Sequence, residues 1–325
     1  MSRLIAALAT AVLALGVALL GGAAVVLALA HDPEAPARTA QVGAAPSAAG
    51  PGPRAAASAA PPAAGSATPA PTSHAGPPAP DARLAGDPAA LASDLAATHD
   101  ALYRAIDAWQ AAGAHAIPGD LTLYALHEQR IYRTLGTSPR LARGVLAALP
   151  ARLRAEARDN VVARRELELI KSVAVGPPPK IALGPAQSAD LLRAHYRDAS
   201  ARFGVAPEVL AAVNFVESAF GRLRNRSVSG ARGPMQFMPA TWAAYGLGGD
   251  ISDPADAVLG AANYLHANGA PANERGALLH YNPSSHYVEA ISRYARRIRA
   301  DWRAYYDYYA WPVFYRGRQL TGPGR

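Results

Sequence analysis

Apolar and polar positions divide the chain into four stretches. Leu4 to Ala30 is apolar apart from Thr10, 27 residues with no polar face. His31 to Gly86 shows no period and almost no large apolar side chain. After Asp87-Pro88, a cap with proline at the first helical position, Leu91, Leu95, Leu102, Ile106 and Trp109 recur at helical spacing. Ile117-Pro118-Gly119-Asp120 breaks that helix, and Leu121–Leu135, Leu141–Leu149 and Val161–Val173 predict three more. Gly176-Pro177-Pro178-Pro179 reads as a stiff connector. Beyond it the pattern predicts helices over Gln187–Phe203, stopped by Gly204, and from Pro207 to about Gly221. Further helices are predicted over Ala257–His266, behind an Asp253-Pro254 cap and ended by Gly269, and over Tyr287–Arg299. The fold class is mainly α, in four parts: 1–30, 31–86, 87–180 and 181–325.

The first two parts read as delivery. Twenty-seven apolar residues make roughly 40 Å of helix, more than the ~30 Å hydrocarbon core requires. Arg3 precedes the span and His31, Asp32 and Glu34 follow it, which predicts a transmembrane anchor with a cytoplasmic N-terminus and everything else extracytoplasmic. Ala28-Leu29-Ala30 resembles a cleavage site, and cleavage after Ala30 makes the protein secreted. Residues 31–86 hold twelve prolines among Ala, Gly and Ser, so the expectation is a disordered linker that cannot offset its chain entropy by burial.

Composition changes this picture little. With no cysteines there is neither a disulfide framework nor thiolate chemistry. The net charge of +8 comes almost wholly from arginine, since Lys171 and Lys180 are the only lysines. No zinc or helix-turn-helix signature and no basic run beside aromatics accompanies it, so nucleic acid is not an expected partner. His127-Glu128 has no second histidine at ligand spacing, which predicts no metal site and a solvated helix face. Arg293, Arg296, Arg297 and Arg299 put a basic face on the last long helix, either solvated or against an anionic polymer. The aromatic residues from Trp302 to Tyr315 predict a segment packed back on its own domain with tyrosine hydroxyls at the surface.

Candidate chemistry is concentrated between Pro207 and Trp242. Leu210, Val213 and Glu217 share one stripe of a helix that is apolar nearly all round, with Asn214 beside it. A buried carboxyl there loses hydration, and its pKa rises into the range of a proton donor near neutral pH. The competing reading pairs Glu217 with Arg222 or Arg224 at the helix end. Ser229-Gly230-Ala231 lets backbone approach a ligand, Gln236 supplies an amide, and Met235 with Phe237 supplies an apolar floor.

Taken in order, Glu217-Ser218, then Gly233-Pro-Met-Gln236-Phe-Met-Pro239-Ala-Thr241, then Leu279-His280-Tyr281-Asn282 with Tyr287 beyond, resembles the lytic transglycosylases. These are soluble-transglycosylase-type (SLT) domains with a lysozyme-like, goose-type fold, and the likeness spans roughly Gln187 to Arg299. The resemblance implies cleavage of peptidoglycan glycan strands between N-acetylmuramic acid and N-acetylglucosamine, without metal or cofactor. It implies Glu217 as the single catalytic acid and then base, closing a 1,6-anhydro ring. It further implies Ser218 beside the acid, Met235 and Gln236 lining the cleft, Tyr281 and Asn282 orienting acid and substrate, and Tyr287 as the family's late tyrosine. With Ser229 these form the candidate substrate-binding set. Pro234 replaces the usual leucine, and His280 the usual alanine, expected to pack on a neighbouring helix. Two alternatives stand beside this: a hydrolytic muramidase using Asp250, Asp253 or Asp256 as a second carboxylate, and a non-catalytic wall-binding protein. Capping explains Asp253 better, and Asp256 fits the first-turn dipole position.

Overall fold

The computed structural model describes residues 76–170, 181–227, 229–315 and 318–320. The expected anchor at 4–30, most of the linker and the 176–179 connector lie outside these residues. Among the described residues no helix is long and apolar enough to cross a membrane.

Four helices form the first layer. Helix α1 (Pro88–Ala112) starts where the sequence places it: the Asp87 carboxylate accepts from the Ala90 N–H at 2.9 Å, and Gly113 turns left-handed at its end. Leu91, Leu95, Leu102, Ile106 and Trp109 make its buried stripe. Helices α2 (Gly119–Thr137), α3 (Pro139–Ala148) and α4 (Ala151–Leu169) follow. The start of α4 falls ten residues before the predicted Val161, because its buried side carries Glu156 and Asp159 among Leu153, Ala157 and Val161. Charges on an inward face hide the helical period. For the same reason the solvated reading of His127-Glu128 is overturned. Both are buried, His127 Nε2 against Asp94 at 2.9 Å and Glu128 against His99 Nδ1 at 3.2 Å.

The second layer holds α5 (Ala189–Phe203), α6 (Pro207–Ser218), α7 (Pro239–Tyr245), α8 (Pro254–Ala267), α9 (Glu274–Tyr281), α10 (Ser285–Ala300) and α11 (Arg303–Ala310). A two-residue antiparallel ladder, Phe314–Tyr315 with Arg318–Gln319, closes the described chain. Helix α6 is the axis: it packs on α5, α8, α10 and α11, and every residue from Val209 to Ser218 is buried. Behind it, the Phe215 ring stacks on Tyr308 at 5.2 Å and 9°, and also meets Phe220, Tyr294 and Trp311 within 5.8 Å.

One apolar core runs from Leu91 to Trp311, joining the two layers without a break. It also takes in Leu84 and Ala85, and Arg130 donates to the Pro80 carbonyl at 3.1 Å. The linker expected to run to Gly86 is therefore packed at its C-terminal end, where Leu84 supplies the apolar anchor the rest lacks.

The aromatic segment folds back as expected, but its hydroxyls point inward. Tyr305 donates to the Ala189 carbonyl, Tyr309 to that of Gln187 and Tyr308 to Asn160 Oδ1, each within 2.7 Å. The basic face of α10 is largely paired, although Arg296 and Arg299 stay half-exposed, Arg299 with its nearest carboxylates, Glu208 and Glu274, at 3.9 Å. Arg293 and Arg296 bind Asp159, and Arg297 binds Glu156, all on α4.

Candidate active site

The last buried turn of α6 presents Glu217. Directly after it the chain reverses through three left-handed residues, Ala219, Phe220 and Gly221, with φ of 50°, 63° and 81°. Non-glycine residues hold such angles only where surroundings enforce them. Here Ser218 Oγ accepts from the Gly221 N–H at 2.7 Å and donates to the Pro234 carbonyl at 2.5 Å, and Phe220 is wedged between Phe215 and Tyr305. Ser218 thus ties the helix end to the Gly233-Gln236 turn.

That turn depends on Gly233: at φ +74°, a Cβ there would lie 1.9 Å from the Ile251 carbonyl oxygen. Gln236 also sits left-handed, φ 49°, and its amide donates back to the Gly233 carbonyl at 2.9 Å. Met235 is fully buried. Its sulfur accepts from Asn214 Nδ2 at 3.2 Å and its carbonyl from the Tyr281 hydroxyl at 2.7 Å. Tyr281 closes α9 and Asn282 caps it, buried. Ser284 then caps α10, and the first turn of α10 delivers Tyr287.

The Tyr287 hydroxyl donates to Glu217 Oε1 at 2.8 Å, while the buried Oε2 has no protein partner. Burial pushes the Glu217 pKa up to about 8, against the opposing pull of the Tyr287 hydrogen bond. Burial also holds Tyr281 and Tyr287 uncharged, well above the usual phenol range. The ion-pair reading of Glu217 fails. The Arg222 guanidinium donates to the Tyr309 and Trp311 carbonyls, and Arg224 to that of Pro185.

Glu217 lies at the floor of a half-open cleft lined by Ala231, Gln236, Phe237, Met238, Thr241, Tyr264 and Tyr281. Phe237 meets Trp242 at 5.2 Å and Tyr281 at 5.9 Å, and Tyr264 meets Tyr245 at 4.9 Å, so one wall is a bank of rings. The Gln236 Oε1 is buried without a protein partner beside this space.

Of the sequence candidates, Glu217, Gln236 and Tyr281 share the cleft lining; Tyr287, Ser218 and Met235 stand behind it. Ser229 is exposed on the loop and is not part of the lining. His280 is exposed rather than packed on a helix; its carbonyl accepts from the Tyr264 hydroxyl at 2.9 Å. Met238 and Thr241 stand in the family motif but carry no site role there, and Tyr264 has no signal at all, since nothing in a lone residue of α8 marks the face it turns to the cleft. Asp253 caps α8, Asp256 accepts from the Asp250 N–H, and Asp250 accepts from the Ser252 N–H. None of the three lines the cleft. Among the described residues no three His, Cys, Asp or Glu side chains are grouped to hold a metal ion.

Residues 195–298, about a third of the chain, match the family model described as the transglycosylase SLT domain. This is consistent with the lytic transglycosylase and lysozyme-like family that the motifs resemble, and with transglycosylase-type activity on peptidoglycan as a general class. Comparison with curated proteins and with solved structures yields no match.

Proposed function

We propose that this chain, carrying a transglycosylase SLT domain, is a lytic transglycosylase in which Glu217 alone performs both proton transfers. The observation that carries this reading is the asymmetry of one carboxyl: Oε1 is held by Tyr287, while Oε2 stands buried and unpartnered at the cleft floor. A carboxyl with a pKa near 8 keeps its proton at neutral pH, and Oε2 is the oxygen with no competing acceptor. It gives that proton to the glycosidic oxygen between N-acetylmuramic acid and N-acetylglucosamine as the C1–O bond breaks. The resulting carboxylate takes a proton from the muramoyl C6 hydroxyl, whose oxygen closes on C1. One bond breaks, one forms, the proton returns to Glu217, and no water is consumed.

Tyr287 serves both stages. Its hydroxyl keeps the carboxyl plane fixed, and its hydrogen bond becomes charge-assisted once Glu217 is anionic. The Gln236 Oε1 supplies an acceptor for a sugar amide or hydroxyl, and the Phe237, Tyr264 and Tyr281 rings give apolar faces for pyranose rings. Usual glycoside hydrolysis employs two carboxylates. None of Asp250, Asp253 and Asp256 reaches the lining, which supports the one-acid route over the hydrolytic one. The apolar run 4–30 supports anchorage of the cleft on the outer side of a membrane.

The test is mass spectrometry of fragments released from purified sacculi. The reading expects 1,6-anhydromuramoyl ends, one water lighter than hydrolytic products, and at least ~10²–10⁴-fold less release by Glu217→Gln. Reducing muramoyl ends would establish hydrolysis instead. Undiminished release by Glu217→Gln would remove Glu217 from the mechanism.

A further inference from the structure

Helix α10 lies between two partners. One face meets α6, with Tyr287, Ile291 and Tyr294 buried; the other meets α4 of the first layer. The α4 contact is a ladder of charges. Glu166 meets His286 at 2.7 Å, Asp159 meets Arg293 at 2.9 Å and Arg296 at 2.8 Å, and Glu156 meets Arg297 at 2.7 Å. The first two rungs lie seven residues apart on both helices, in opposite senses, so the two run antiparallel, and the third follows about one turn further on. Isolated surface ion pairs contribute little. Asp159 is different: it is 6% exposed and takes hydrogen bonds from two guanidiniums. It cannot be stripped of them without leaving a buried charge.

The ladder begins at the turn that matters to the acid. His286 faces α4 and its neighbour Tyr287 faces Glu217, so the rungs that set the axial position of α10 also set the phenol. A slip of one residue moves a helix by 1.5 Å and turns it by about 100°, more than a 2.8 Å hydrogen bond tolerates.

We propose that Asp159, outside the SLT match, is a positioning residue for Glu217: by binding Arg293 and Arg296 it fixes the register of α10 and holds the Tyr287 hydroxyl on the acid. This rests on the reading of Glu217 as the catalytic acid. The titratable groups facing Glu217 are Tyr287 from α10 and Tyr281 from α9, both uncharged, so Tyr287 is the route by which α4 reaches it.

The test uses the full chain in detergent with ¹³C-carboxyl-labelled glutamate. The Glu217 resonance is identified by its loss in Glu217→Gln, and kinetics on sacculi are measured in parallel. In Asp159→Asn the Tyr287 bond that holds the Glu217 midpoint down is loosened, so the midpoint rises by about one pH unit. Tyr287→Phe gives a similar rise, and the double variant adds nothing further. Asp159→Asn loses about 10- to 100-fold in kcat with KM unchanged, and Asp159→Glu recovers part of it. An unmoved midpoint in Asp159→Asn, with Tyr287→Phe shifted, overturns the proposal. So does a lowered melting temperature with midpoint and kcat intact, which marks Asp159 as structural only. Wild-type protein that releases nothing from sacculi defeats the enzymatic reading alone, because the midpoints still decide whether Asp159 holds Tyr287 on Glu217.

Discussion

Replacing Glu217 by glutamine should stabilise the protein, and increasingly so as the pH rises. In the folded chain the carboxyl titrates near 8, against an ordinary value of 4.5. The folded state therefore binds more protons than the unfolded one between those values, and stability falls as pH climbs through that window. The displacement corresponds to about 5 kcal/mol in all, at 1.36 kcal/mol per unit. Between pH 6 and pH 9 the part still to be lost is about 2–3 kcal/mol. Glutamine has nearly the same shape and no charge, so the difference between the two proteins isolates this group, while all other titrations cancel. Urea titrations of both proteins at several pH values give that difference directly. In thermal melts it appears as an advantage for the variant that grows by roughly 5–10 °C from pH 6 to pH 9. A difference that stays flat across this range would mean that Glu217 ionises freely in the fold, and the argument from burial would collapse.

The same titration should govern turnover: release of fragments falls as pH rises through about 8, because the proton to be donated is lost, and a rate profile on sacculi reads the limb. Gly233→Ala should cost at least about 1–3 kcal/mol from its left-handed backbone alone, with more from the Cβ that must displace Ile251; denaturant midpoints measure it, and activity should fall because Gln236 moves with the turn. A fragment of residues 181–325 should lack a cooperative melt. It leaves Arg293, Arg296 and Arg297 without their acids and the Tyr308 hydroxyl without Asn160, and near-UV circular dichroism should show its aromatic signals averaged.

Helix ends were legible because their causes are local. Asp87-Pro88, Asp253-Pro254 and Gly204 act within a turn of themselves, and each marks a helix boundary. The dryness around Glu217 was legible too, since a helix apolar on all sides has to be buried. What could not be read was which charges meet. Asp159 and Arg296 look like two solvated helix faces until the fold brings together segments 137 residues apart. The start of α4 was lost for that reason, and so was its attachment to α10. Tyr287 entered through the family motif alone: a tyrosine in the first turn of a basic helix says nothing of a carboxyl 70 positions earlier. The small residues of the Ser229-Gly230-Ala231 loop divide: Ala231 is buried and lines the cleft, while Ser229 is turned to solvent, a split that small size alone does not announce.

The ring cluster around Phe215 has a bearing on how a long glycan strand enters. Those rings clamp the spine of α6 from behind, so its amide protons should be among the slowest in the molecule to exchange with solvent. The opposite rim is packed less deeply: α7 has no buried residue and Leu247 stands half-exposed. A strand laid in the cleft would therefore meet the acid on its most firmly packed side, across from its most exposed one.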